Sequence, residues 1–138
     1  MHADRSPAVV DCVPVGSMRD GGGLSPVWLV SNGAVLSSAN LATSRRDRRR
    51  GLIGVSDVRV PLVLRPCNWV HSVGVRAPLD VAWVAADGTV LATGRLAPMR
   101  VGPMHRRAEY VVEAAAGSFE RWGLRAGDTV EVRATAGA

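Results

Sequence analysis

The chain contains no lysine, so all 17 of its basic side chains are arginine. That bias reflects GC-rich coding rather than chemistry. Aromatic residues make up only 4% of the chain, which argues against a surface built to stack nucleic-acid bases. Two cysteines, Cys12 and Cys67, are too few for a disulfide framework, and both thiols are expected to be reduced. The three histidines, His2, His71 and His105, are widely spaced, and neither C-x-x-C nor H-x-x-x-H occurs, so no metal site is expected. No apolar run is long enough to span a bilayer, and Asp11 and Pro14 interrupt the only candidate for a signal-peptide core. A cytoplasmic protein without a membrane partner is the expectation.

What is present suits one soluble domain of 138 residues with 47% apolar side chains. Gly 15 and Pro 8 favour many short elements joined by turns. Residues 1–26, ending in the Gly- and Pro-rich Arg19–Pro26 stretch, read as a flexible N-terminal extension, and 27–138 as the single folded domain. Asn32-Gly33 between two apolar runs predicts a tight β-hairpin, because both turn positions must tolerate positive φ. Asp87-Gly88 predicts a second. Val58 to Arg65 alternates like a strand, with Pro61 forcing it to an edge or a bulge. Ala97 to Arg107 reads as a long exposed loop. Ser44-x-x-Asp47 is a capping box for a short helix that Gly51 stops, and Ser118–Trp122 is a second helical turn. The expected fold is mainly β: a compact antiparallel barrel or sandwich with two short helices.

Several short motifs, taken in order, resemble the uncharacterised ACR family, also called domain of unknown function 192. They are Arg50-Gly51-Leu52-Ile53-Gly54, Cys67-x-x-Val70-His71-Ser72, Arg76-x-Pro78-Leu79-Asp80-Val81, Asp87-Gly88, Tyr110-Val111-Val112-Glu113 with Gly117, and Gly127-Asp128-x-Val130. The Val-His form is similar to the branch found in high-GC bacteria. Ala77 and Val75 depart from it, where an aromatic and a Met are usual. The resemblance implies a compact β fold, usually without a cofactor, and brings no known activity.

Cys67, Trp69, His71, Arg76 and Asp80 crowd the most informative stretch and form the candidate ligand-binding site. Arg76 and Asp80 flank Pro78. They read either as a pair pinning the loop or as a guanidinium fork offered to an anion. His71 is either a core histidine or an acid/base group. Cys67 is either a small buried hydrophobe or, with a lowered pKa, a nucleophile. A Cys67–His71–Asp80 relay needs a turn, since residues four apart on a strand are about 13 Å apart. The four tryptophans (Trp28, Trp69, Trp83, Trp122) read as core, with Trp69 kept as a possible ligand contact.

Arg45, Arg46, Arg48, Arg49 and Arg50 against Asp47 supply +4 of the +5 net charge, and suggest either a solvated helix face or a nucleic-acid contact. The expected function is therefore a non-catalytic binding module for a small anionic or polyhydroxy ligand or a protein partner. An enzyme using Cys67 and His71 is the first alternative. An arginine helix docking on nucleic acid is the second.

Overall fold

The computed structural model describes residues 24–72 and 74–135. Nine strands and two helices follow one another: β1 (Ser25–Ser31), β2 (Ala34–Ala42), α1 (Arg45–Arg50), β3 (Leu62–Leu64), β4 (Trp69–His71), β5 (Leu79–Ala85), β6 (Val90–Leu96), β7 (Val101–Met104), β8 (Ala108–Ala115), α2 (Ser118–Trp122) and β9 (Glu131–Ala134). Seven strands form one sheet in the order β6-β5-β8-β3-β2-β1-β9, and β4 and β7 form a separate two-stranded ribbon.

Both predicted hairpins are present. Asn32 and Gly33 have φ of 52° and 79°, as a two-residue turn between β1 and β2 demands. In the β5–β6 hairpin only Gly88 has positive φ, at 95°. Gly88 also lies where a Cβ would sit 2.6 Å from the Val130 carbonyl oxygen. Around it the chain is knitted together: Val130 N–H donates to the Gly88 carbonyl, Val90 N–H to Asp128, and Gly127 N–H to Val90. The Asp87-Gly88 and Gly127-Asp128-x-Val130 motifs therefore meet as one clamp.

Four expectations are corrected. The sheet is not wholly antiparallel, because β2 and β3 run parallel. It does not close into a barrel: β6 and β9 are its two edges, and the single bridge Thr89–Thr129 joins their approaches. The 58–65 strand shrinks to β3, which lies inside the sheet between β2 and β8. Pro61 escapes the edge by standing just before it, where its carbonyl accepts from Asn40 N–H. Residues 97–107 are not all loop, since 101–104 form β7 despite Pro103. The extension expected over 1–26 lies outside the described residues up to position 23, and Ser25 and Pro26 already belong to β1.

Each face of the sheet has its own core. Leu62, Leu64, Leu79, Val81, Trp83 and Val111 pack with Cys67, Val70 and Val75 under the ribbon. Val63, Ala82, Val84 and Val112 pack with Phe119, Leu124 and Val130 on the other side. Burial on both faces explains why Leu79 to Val84 is buried without a break, even at Asp80.

Candidate functional site

Strand alternation decides which of the candidate residues can meet. Leu79, Val81 and Trp83 face the ribbon-side core, so Asp80 points to the α2 side with Ala82 and Val84. There Asp80 Oδ2 accepts from Gly117 N–H at 2.9 Å and Phe119 N–H at 3.0 Å, capping α2 from outside the helix. Its Oδ1 accepts from Arg95 Nε at 3.2 Å. The partner of Asp80 is thus Arg95 rather than Arg76. Arg76 is exposed, and its backbone N–H donates to Val55 at 3.2 Å.

Cys67 is buried in the ribbon-side core and is disulfide-bonded, which corrects the expectation of a reduced thiol. Such bonds persist in oxidising surroundings. A sulfur held this way presents no thiolate to a substrate. The other cysteine, Cys12, lies outside the described residues.

On β4, Val70 points into the core, so Trp69 and His71 share the outer face of the ribbon. Their rings meet edge to face, with centroids 6.1 Å apart. Trp69 Nε1 donates to the Gly102 carbonyl at 3.0 Å, and burial lowers the pKa of the half-buried His71. Register sets Met104 opposite Trp69 and Val101 opposite His71. Val101 is 62% exposed and Met104 50%, and Met99, at the end of the ribbon, is 59% exposed. Fully buried Ser72 ties this end together. Its Oγ donates to the Ala97 carbonyl at 2.6 Å and accepts from Arg100 N–H at 2.8 Å. Trp69 and His71 thus share the ribbon's outer face with Cys67 in the core behind them, Arg76 lies on the loop that follows β4, and Asp80 belongs elsewhere.

The arginine helix is not a uniform solvated face. Ser44 caps it by accepting from Asp47 N–H at 3.0 Å, as the motif predicted. Arg48, however, is buried, and its guanidinium donates to the carbonyls of Thr43 and Pro66, both at 3.3 Å. Arg49 and Arg50 are half-buried, leaving Arg45 and Arg46 exposed. Among the described residues, no group of three or more His, Cys, Asp or Glu could hold a metal ion. No described helix is long and apolar enough to cross a membrane. Of the tryptophans read as core, Trp83 is buried, with its ring 4.5 Å from that of His105, whereas Trp28 is 40% exposed.

Glu113 carries an ionisable group whose setting the sequence did not reveal. It lies on β8 between Leu62 and Val81, is buried, and its carboxyl group makes no hydrogen bond or ion pair among the described residues. Burial pushes its pKa from the ordinary 4.5 up to about 8. The folded protein therefore keeps a proton that the unfolded chain has released, so stability falls as pH rises from about 4.5 to about 8 and levels off above. The size is up to several kcal/mol, at roughly 1.4 kcal/mol per pKa unit. Urea unfolding at pH 5, 7 and 9 should show this loss, and Glu113→Gln should flatten it. An unchanged slope in the variant would assign the pH dependence to other groups.

Comparison with known proteins places this geometry in a family. No curated protein matches the chain. A solved structure from Sinorhizobium meliloti 1021, described as a "putative transcription regulator", is 20% identical with a TM-score of 0.65, covering 83% of this chain and 97% of that one. A protein of unknown function from Novosphingobium aromaticivorans DSM 12444 is 19% identical with a TM-score of 0.67, covering 94% of this chain and 99% of that one. At these identities the likeness is one of fold. The sequence profile of the uncharacterised ACR proteins matches residues 27–132, and the chain belongs to that family, domain of unknown function 192.

Proposed function

We propose that this protein is a binding module that docks a protein partner on the outer face of the β4–β7 ribbon. One observation carries the reading: Met99, Val101 and Met104 are exposed within six residues, beside the half-buried Trp69 and His71. Scattered exposed hydrophobics are ordinary, but a contiguous group marks an interaction surface. Trp, Met and Arg are also the residues enriched where interfaces draw their affinity.

Charge selects the occupant. Exposed Arg100, Arg106 and Arg107 flank the apolar residues, Arg76 stands on the adjoining loop, and residues 97–107 contain no acidic side chain. The face therefore suits an apolar segment bounded by Asp or Glu, which the arginines would steer and orient. A small ligand held jointly by His71, Arg76 and Asp80 fits less well, because Asp80 is committed to α2. Nucleic acid is the second reading, since the same arginines could meet phosphates and one structural neighbour is described as a "putative transcription regulator".

Selection of peptides from a display library tests the proposal. Binders should carry an aliphatic or aromatic anchor next to acidic residues, and should shift the amide signals of 69–71 and 99–104. Val101→Asp, at an exposed position, should weaken binding at least about tenfold without lowering the melting temperature. Binding that maps elsewhere, or that ignores Val101→Asp, overturns the reading. Preference for short DNA, with affinity falling steeply with salt, would replace it with the nucleic-acid alternative.

A further inference from the structure

A cleft of about 630 Å³ opens between the two hairpin turns, away from the ribbon. Asn32 and Gly33 form one lip, Ala86 to Gly88 the other, and residues 129–132 run along the floor. That volume lies within the range of small-molecule sites, roughly 300–1,000 Å³. The lips are held in place rather than left loose. The Thr89–Thr129 bridge and the Val130-to-Gly88 hydrogen bond fix one of them. Ser31 Oγ, which donates to the Thr129 carbonyl at 2.6 Å, anchors the other.

Arg65 is the cation in the wall. Its side chain is only 22% exposed, and its guanidinium lies 5.2 Å over the Tyr110 ring. Its nearest anion is Glu109, 3.8 Å from Nε, which is beyond hydrogen-bond length. Among the described residues its Nη groups donate no hydrogen bond. A guanidinium carries five donors, and no Arg65 nitrogen is among the fully buried atoms without a partner, so its donors are open to the cleft. Its fixed fork matches a carboxylate in two parallel hydrogen bonds. The opposite charge stands at the mouth. Asp87 and Glu131 are exposed carboxylates with lowered pKa values, the first through hydrogen bonds from Thr89 and the second through Arg133. Val30 and Val132 supply apolar wall between the two poles.

From this arrangement we infer that the cleft binds a small zwitterion of the amino-acid or short-peptide class. Its carboxylate meets Arg65, its ammonium meets Asp87 and Glu131, and an aliphatic side chain lies along Val30 and Val132. A simple anion would face two carboxylates at the entrance. A sugar would find the Tyr110 ring already covered by Arg65.

The test is an amide-shift titration of the whole protein with leucyl-glycine, its N-acetyl derivative and its C-terminal amide, with glucose and inorganic phosphate as controls. Leucyl-glycine should shift Asn32, Gly33, Gly88 and residues 129–132, and capping either end should weaken binding at least about tenfold. Arg65→Met should abolish the penalty for amidation. Asp87→Asn, on an exposed turn, should reduce the penalty for acetylation, and it keeps the test valid if loss of Arg65 unsettles Tyr110. Equal binding of capped and uncapped forms, preference for glucose or phosphate, or no shift of these amides at millimolar concentrations would overturn the inference.

Discussion

Asp80→Ala should cost about 3–5 kcal/mol, the sum of two charge-assisted hydrogen bonds and the orphaning of their buried donors. Gly117 N–H and Phe119 N–H both depend on this one carboxylate oxygen, and Phe119 is buried in the α2-side core. α2 has no side-chain cap of its own, because the residue at that position is Gly117. Losing Asp80 therefore removes the side-chain cap that the described residues provide to the first turn of α2, and it loosens Phe119 with it. By thermal melting the variant should fall by roughly 10 °C or more. Arg95→Ala should cost below about 1 kcal/mol, since the bridge is half exposed on the arginine side and the backbone donors remain. Arg76→Ala should leave the midpoint unchanged. If instead Arg76→Ala destabilised as much as Asp80→Ala, the two would be coupled in solution in a way this geometry excludes.

Gly88→Ala should be at least as damaging, by about 3 kcal/mol or more, for two independent reasons. A φ of 95° is a conformation that an L side chain rarely adopts. The new methyl would also stand 2.6 Å from the Val130 carbonyl oxygen, a backbone atom that cannot swing aside. Relieving the contact means parting the β5–β6 turn from the chain entering β9 and losing the Val130 N–H bond to Gly88. Gly33→Ala offers the contrast. It shares the positive φ but has nothing within 4 Å of the added carbon, so its cost should be the strain alone, about 1 kcal/mol. Chemical denaturation of the two variants side by side would separate strain from collision. Equal losses would show that the Val130 approach contributes nothing.

These residues also show how far the sequence could be read. Turn chemistry is local, so Asn32-Gly33 and Asp87-Gly88 announced their hairpins, and Ser44-x-x-Asp47 announced its helix. Mainly β architecture followed from those signals. Pairing partners are not local. Nothing in Leu62–Leu64 reveals that it pairs in parallel with β2, and Pro103 conceals β7, which pairs with β4. The candidate site failed to assemble for the same reason. Arg76 and Asp80 are neighbours in the chain, but the identity of the face each side chain enters depends on what covers the sheet. Asp80 looked like a partner of Arg76 because Arg95 and α2, which use its carboxylate, lie downstream. Glu113 stood in a family motif and Arg65 at the end of an alternating run, but neither revealed its setting, since a lone carboxylate or arginine reads as solvent-facing until burial is known.

The pairing of β9 with β1 has a consequence for how the chain is made. Residues 131–134 supply the neighbour for 27–30, so among the described residues this side of β1 waits for the segment made last. β1 keeps that side bare while every intervening element is synthesised. An unsatisfied edge of this kind can pair with any other nascent strand. Trp28 and Val35 near that margin add exposed apolar surface to it. A chain that stops before residue 131 would therefore leave the apolar margin of β1 as the sheet's edge, where β9 otherwise presents Glu131 and Arg133.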